Sequence, residues 1–196
     1  MRTFVFIRHA QTAMAGRFCG QSDPELDAAG TIQLAHVVQN VARLGIQRIV
    51  SSDLRRASQT AQTISQHLGL RVEFRPALRE IHFGLWEGLS WAEIEAQFPG
   101  DAQSWIQEFP MQPAPRGERY ADFTERIDDE FDSLLSAPDN PATAVVTHRG
   151  VMRYALTRFF GLSEEDASTQ TDSYGVVIPA VYTGADRARY CHQEEK

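Results

Sequence analysis

The chain has 196 residues, 42% of them hydrophobic and 23% charged, values that suit one globular domain with a full core. Nineteen basic against 26 acidic residues give a net charge of −7 with no basic stripe, which argues against a duplex nucleic-acid partner. No apolar stretch reaches membrane-spanning length, and the apolar start is too short for a signal peptide. A cytoplasmic protein is expected, with Cys19 and Cys191 as reduced thiols rather than a bridge.

The run Phe4-Val5-Phe6-Ile7 reads as a buried central strand over residues 3–7, ending on Arg8-His9. Residues 27–44 read as a helix with Leu34, Val37, Val41 and Leu44 on one stripe. A short strand over 47–50 follows, and Ser51-Ser52-Asp53 offers N-cap chemistry for a helix reaching Leu68 and stopped by Gly69. Residues 71–74 give a third strand. Residues 76–116 are rich in Pro, Gly and aromatics, with short helices expected at about 90–98 and 101–108. They read as an insertion over one edge of the sheet. Residues 118–135 carry Phe123, Ile127, Phe131 and Leu134 at helical spacing. A strand over 142–147 ends at His148, and a helix over 151–160 and a strand over 175–178 complete the alternation. The expected fold is one α/β domain of residues 1–196, a mostly parallel sheet with helices on both faces and a small aromatic-rich cap at about 76–116.

In a parallel sheet the strand ends share one edge, where open α/β sheets bind their ligands. That edge gathers Arg8-His9, then Ser51-Ser52 with Arg55-Arg56 on the following helix, then His148-Arg149-Gly150. Glu80 stands just before the Gly84 and Gly88 turns. Arginines and helix N-termini are how proteins hold a phosphate dianion. A histidine beside them is a nucleophile, kept neutral by the neighbouring positive charge. Glu80 adds a carboxylate to this edge. Helical position does not separate Arg55 from Arg56. His36 and His67 are expected to be structural, His82 lies close to Glu80, and His192 is in a polar tail. Trp86, Trp91 and Trp105 are expected to pack the cap, and Arg116-Gly117-Glu118-Arg119 to cap the next helix.

Four blocks carry a family resemblance: Ile7-Arg8-His9-Ala10-Gln11-Thr12, Ser51 to Ala61, Leu78 to Gly88 and Val146 to Arg153. In this order they resemble the histidine phosphatase superfamily, the phosphoglycerate-mutase-like proteins, to about residue 153. The resemblance implies His9 as phosphoryl acceptor, Arg8, Arg56 and His148 as phosphate ligands, and Glu80 as proton donor. The expected substrate-binding set also includes Thr12 and Arg149, the latter a further cation at the rim, and no metal or cofactor is expected. The resemblance also selects Arg56 over Arg55, through the family's Arg-Ala pairing. Three positions depart from the family pattern: Ala10-Gln11 stands for Gly-Glu, Ala15 for an asparagine, and Arg149 for a glycine.

The cap and the Pro115-to-Phe123 stretch most resemble the α-ribazole phosphatase and fructose-2,6-bisphosphatase branches. The expected activity is hydrolysis of a small phosphorylated metabolite, a sugar phosphate or nucleotide-like ester such as α-ribazole phosphate. The alternatives are a phosphoglycerate-mutase-type phosphotransferase, a metallohydrolase using His9, His148 and Glu80, and a non-catalytic phosphate-binding module. The sequence fits a monomer or a homodimer.

Overall fold

The computed structural model describes residues 1–184, so Cys191 and His192 lie outside the described residues. In chain order the elements are β1 (Arg2–Arg8), α1 (Ala28–Val41), β2 (Arg48–Ser51), α2 (Arg55–Leu68), β3 (Val72–Phe74), α3 (Trp91–Gln97), α4 (Pro99–Glu108), α5 (Tyr120–Ser136), β4 (Thr143–Thr147), α6 (Arg149–Phe160), α7 (Glu164–Gln170) and β5 (Val177–Tyr182). The strands form one sheet in the order β3-β2-β4-β1-β5. All neighbours are parallel except β5, which runs antiparallel to β1 at the edge. Pro179 sits in that edge strand, where a missing N–H breaks no interior ladder.

The strand bearing Arg8-His9 is interior, but the middle place expected for it belongs to β4. Thr143–Thr147 is buried at every position, so β4 is covered on both faces and takes the centre. Alternation along β1 divides the core. Phe4 and Phe6 face α5, α6 and α7, where the Phe6 ring stacks on Phe131 at 5.7 Å. Val5 and Ile7 face Val37 and Val41 of α1 and Ala57, Ala61 and Ile64 of α2. Each buried Val, Ile or Phe among these contributes about 1.5–3 kcal/mol.

Helix ends differ from expectation in instructive ways. Asp27 caps α1, its carboxylate accepting from the Gly30 amide at 2.7 Å. The triplet Ser51-Ser52-Asp53 does not cap α2. The Arg55 amide instead donates to Asp23 at 2.6 Å, a residue 32 positions earlier. Asp53 is taken by Arg79 at 2.7 Å and Ser52 by His148 at 2.8 Å, so both are spent on tertiary contacts. Nor do the side chains of Arg116 to Arg119 cap α5. Glu118 pairs with Arg126 at 2.7 Å, and Arg119 pairs with Asp122 on the surface. Helix α7 was not expected, although Ser163 accepts from the Asp166 amide and three acidic residues open the first turn.

The segment after β3 carries α3 and α4 and has its own small core of Trp86, Ile94, Ala102 and Ala114. Trp86 is fully buried, with Trp105 edge-on at 5.1 Å and Phe18 edge-on at 5.8 Å. Trp86 is therefore a packing residue.

Candidate active site

Strand register builds this site. Arg8 pairs with Thr147 across β1 and β4, so the next residues, His9 and His148, emerge side by side with ring centroids 5.1 Å apart. Ser51 pairs with Val146 across β2 and β4, which brings Ser52 within 2.8 Å of His148 Nε2. The ladder continues past the strand ends, His9 N–H donating to Thr147 and Ser52 N–H to Val146, each at 2.9 Å. Three segments far apart in sequence are thus held in place by backbone hydrogen bonds.

His9 Nδ1 lies 2.8 Å from the Ala10 carbonyl. A carbonyl only accepts, so Nδ1 carries the proton and Nε2 keeps its lone pair. That lone pair receives the Arg56 Nε–H at 3.2 Å. Burial and then the Arg56 charge hold the imidazole pKa well below its usual 6.5, with the Ala10 bond opposing and Arg8 adding to the fall. His148 is likewise held well below 6.5, by burial first and then by Arg56. Both rings are neutral at pH 7.

Arg56 is fully buried, and its guanidinium donates to the carbonyls of Ser22, Cys19 and Gly20 at 2.7, 3.1 and 2.6 Å. Arg55 points outward to Glu25, which resolves the ambiguity between the two arginines. Arg8 donates to the carbonyls of Thr171 and Asp172 and lies 4.0 Å over the Tyr174 ring. Its Nε, like Nδ1 of His148, is buried with no hydrogen-bond partner. Such orphans in a native interior call for a specific reason, and here one belongs to the residue before His9 and the other to the ring 5.1 Å from it.

Glu80 is 8% exposed and is gripped on both oxygens, Oε1 by the Ile81 amide at 3.0 Å and Oε2 by the Gly150 amide at 2.9 Å. The second contact places the carboxylate at the N-terminus of α6. Gly150 is a spatial requirement there, because a Cβ would stand 2.4 Å from Oε1. Arg126 of α5 fixes the approach to Glu80, donating to the carbonyls of Ala77, Arg79 and Glu80 at 2.6, 2.7 and 3.1 Å.

Arg8, His9, Thr12, Glu80 and Arg149 line one cavity of about 320 Å³, together with Tyr174. Arg56 and His148 do not line it and are linked to it through their contacts with His9. Thr12 is buried, its hydroxyl accepting from the Met14 amide at 3.2 Å. Arg149 is half exposed and pairs with Asp172 at 3.1 Å. Ala15 is exposed, and Gln11 turns away to Asp27 at 3.2 Å. Glu87 is spent on the amides of Gly20, Gln21, Ser22 and Phe83, and His82 lines neither this cavity nor its neighbour.

A second cavity of about 520 Å³ adjoins the first and shares Phe18, Glu80, Phe83 and Arg149 with it. Tyr174, and Arg126 as the clamp on Glu80, were not legible as site residues, whereas Ser52 was placed at this edge and only its bond to His148 was not. Tyr174 precedes Gly175 in a loop without local signal, and Arg126 lies on the polar side of an ordinary amphipathic helix.

The family model for the histidine phosphatase superfamily (branch 1) matches residues 4–185. A Proteus mirabilis (strain HI4320) protein named probable phosphoglycerate mutase GpmB is 33% identical over 158 residues, covering 80% of this chain and 74% of that one. A glucosyl-3-phosphoglycerate phosphatase of Mycobacterium tuberculosis (strain ATCC 25618 / H37Rv) is 33% identical over 162 residues, 77% of this chain and 72% of that one. The solved structure of a mycobacterial glucosyl-3-phosphoglycerate phosphatase has a TM-score of 0.75 at 29% identity, covering 91% of this chain and 89% of that one. The α-ribazole phosphatase of Shigella flexneri shares the fold, with a TM-score of 0.82 at 22% identity over 90% of this chain and 89% of its own. With its family model spanning nearly the whole chain, and relatives at a third identity, this chain belongs to the histidine phosphatase superfamily, branch 1.

Proposed function

We propose that this chain is a metal-independent phosphomonoester hydrolase working through a phosphohistidine at His9. The observation that carries this reading is the tautomer. A neutral imidazole with Nδ1–H on a carbonyl leaves Nε2 as a nucleophile, and its cavity also holds a carboxylate, Glu80. The ester phosphate takes the free donors of Arg8 and the His148 Nδ1 side, with Thr12 and Arg149 at the wall. As the Arg56 Nε–H passes from Nε2 to a phosphoryl oxygen, the freed Nε2 lone pair attacks phosphorus and the P–O bond to the alcohol breaks. Glu80 in its protonated form gives its proton to the leaving oxygen. Water then attacks phospho-His9, losing a proton to the Glu80 carboxylate, and inorganic phosphate leaves. Arg56 Nε–H is the donor nearest the phosphoryl oxygens as they reach Nε2, and fixed guanidinium charge stabilises the transferring group.

The substrate class is a small phosphorylated metabolite, a sugar phosphate or a nucleotide-like ester such as α-ribazole phosphate, in a cytoplasmic setting. We also propose that residues 1–196 are one domain with residues of about 76–116 as its cap. The mutase name of the Proteus relative supports a second reading, return of the phosphoryl group to another hydroxyl of the same molecule.

One experiment separates these. Rapid acid-free quench of the native protein with ³²P-labelled ester and EDTA present should trap a base-stable, acid-labile phosphoenzyme and release inorganic phosphate. His9→Ala should trap none and lose turnover by on the order of 10⁴-fold or more. Activity abolished by EDTA and restored by Zn²⁺ would instead establish the metallohydrolase, and an isomerised phosphoglycerate in place of free phosphate the mutase.

A further inference from the structure

We infer that the larger cavity receives the alcohol part of the ester and selects a planar apolar group over a polyhydroxylated one. This inference rests on the hydrolase reading above, and of the two substrate classes given there it favours the nucleotide-like ester over the sugar phosphate. Glu80 lies at the junction of the two cavities, and it is the group proposed to protonate the leaving oxygen. With the phosphate beside Arg8 and His9, the bond being broken points past Glu80, and the departing alcohol projects into the larger space.

The walls of that space are rings in unbroken contact. Phe83 meets Trp105 at 6.3 Å, Trp105 meets Phe109 at 5.1 Å, Phe109 meets Tyr120 at 6.3 Å, and Tyr120 meets Tyr154 edge-on at 6.3 Å. A sugar needs converging polar partners to replace the water it loses, because each unpaired hydroxyl is costly. This wall supplies few. The Tyr154 hydroxyl already donates to Asp128 at 2.9 Å, and Arg153 is paired with Glu164 at 3.0 Å. Ring faces of this kind favour a flat apolar group stacked or edge-on. The volume of about 520 Å³ suits a ring system of one or two cycles. Phe109 at the rim is 51% exposed, an apolar ring that such a ligand would cover.

The test compares esters whose alcohols have similar acidity, so that leaving-group chemistry cancels. The native protein should hydrolyse 2-phenylethyl phosphate with kcat/KM at least ~10-fold above ethyl phosphate and above glucose 6-phosphate. Phe109→Ala should reduce the phenylethyl-to-ethyl ratio by ~3-fold or more, through KM rather than kcat. The nonreacting 2-phenylethylphosphonate and ethylphosphonate, compared by calorimetry, should show the same preference in binding. Equal kcat/KM for all three esters overturns the inference while the hydrolase reading stands. Turnover of none of them overturns the hydrolase reading, and the phosphonate pair then decides the cavity alone: a preference sensitive to Phe109→Ala upholds it as an aromatic site, and no preference overturns it.

Discussion

The two cavities that meet at Glu80 are built by different means. The smaller takes its reacting groups, Arg8 and His9, from the end of β1, positioned by ladder hydrogen bonds, and is closed by Glu80, Phe83 and Trp91 of the segment after β3. The larger takes its rings from the cap, α5 and α6, held by side-chain packing. Backbone pairing sets atoms to fractions of an ångström, which is what attack on phosphorus demands. Packed rings tolerate substitution of one by another, which is what a change of substrate demands. On the proposed reading, chemistry and selectivity sit on parts of the fold with different tolerance for change.

The sharpest way to break this comparison is Glu80→Gln. Alkyl phosphates should lose about 10²–10⁴-fold in kcat, the usual worth of a positioned acid, because their alkoxides leave poorly. Nitrophenyl phosphate should lose less in its first step and show a burst of nitrophenol, followed by slow hydrolysis of phospho-His9. The phenylethyl-to-ethyl ratio should stay unchanged. Equal losses on both esters in stopped-flow bursts would remove Glu80 as the acid.

A smaller effect is expected from Arg126→Met. The guanidinium clamps three carbonyls leading to Glu80 and pairs with Glu118, so its loss lets the carboxylate wander. On alkyl esters kcat should fall about 10-fold with KM nearly constant, and Arg126→Lys should recover part of it. A rise in KM without a fall in kcat would make Arg126 a wall of the pocket rather than a support for the acid.

The mildest test is pH. His9 and His148 are held below 6.5 in the folded protein, so above that value neither ring is protonated in either state. As pH falls below about 6.5 the unfolded chain takes up protons that the folded chain refuses, and stability declines until the folded pKa values are reached. Tm should therefore drop between pH 6.5 and 5.5, and His9→Gln should flatten that slope by removing one of the two rings. A native Tm that is level across this window would contradict the buried neutral pair. No ring of the aromatic cavity titrates there, so the dependence belongs to the charged side of Glu80.

Local pattern was enough for the alternation of strands and helices, and for Arg8, His9 and His148 at strand ends. An apolar run that stops at a polar pair can do little else in a buried sheet. The caps of α1 and α3 are local in kind, since Asp27 and Ser90 act within three residues of themselves, but the sequence reading named neither. Arg55 and Arg56, adjacent on one helix, could not be told apart until Glu25 drew one outward and three carbonyls of the 19–22 loop drew the other inward. The same holds for Asp23 as the cap of α2, Tyr174 under Arg8, Arg126 behind Glu80, and β4 rather than β1 in the middle of the sheet. Each depends on segments at least 30 residues apart meeting at one point. Periodicity and capping rules reach only a few positions along the chain, so such meetings are decided by how the sheet pairs and which helices cover it.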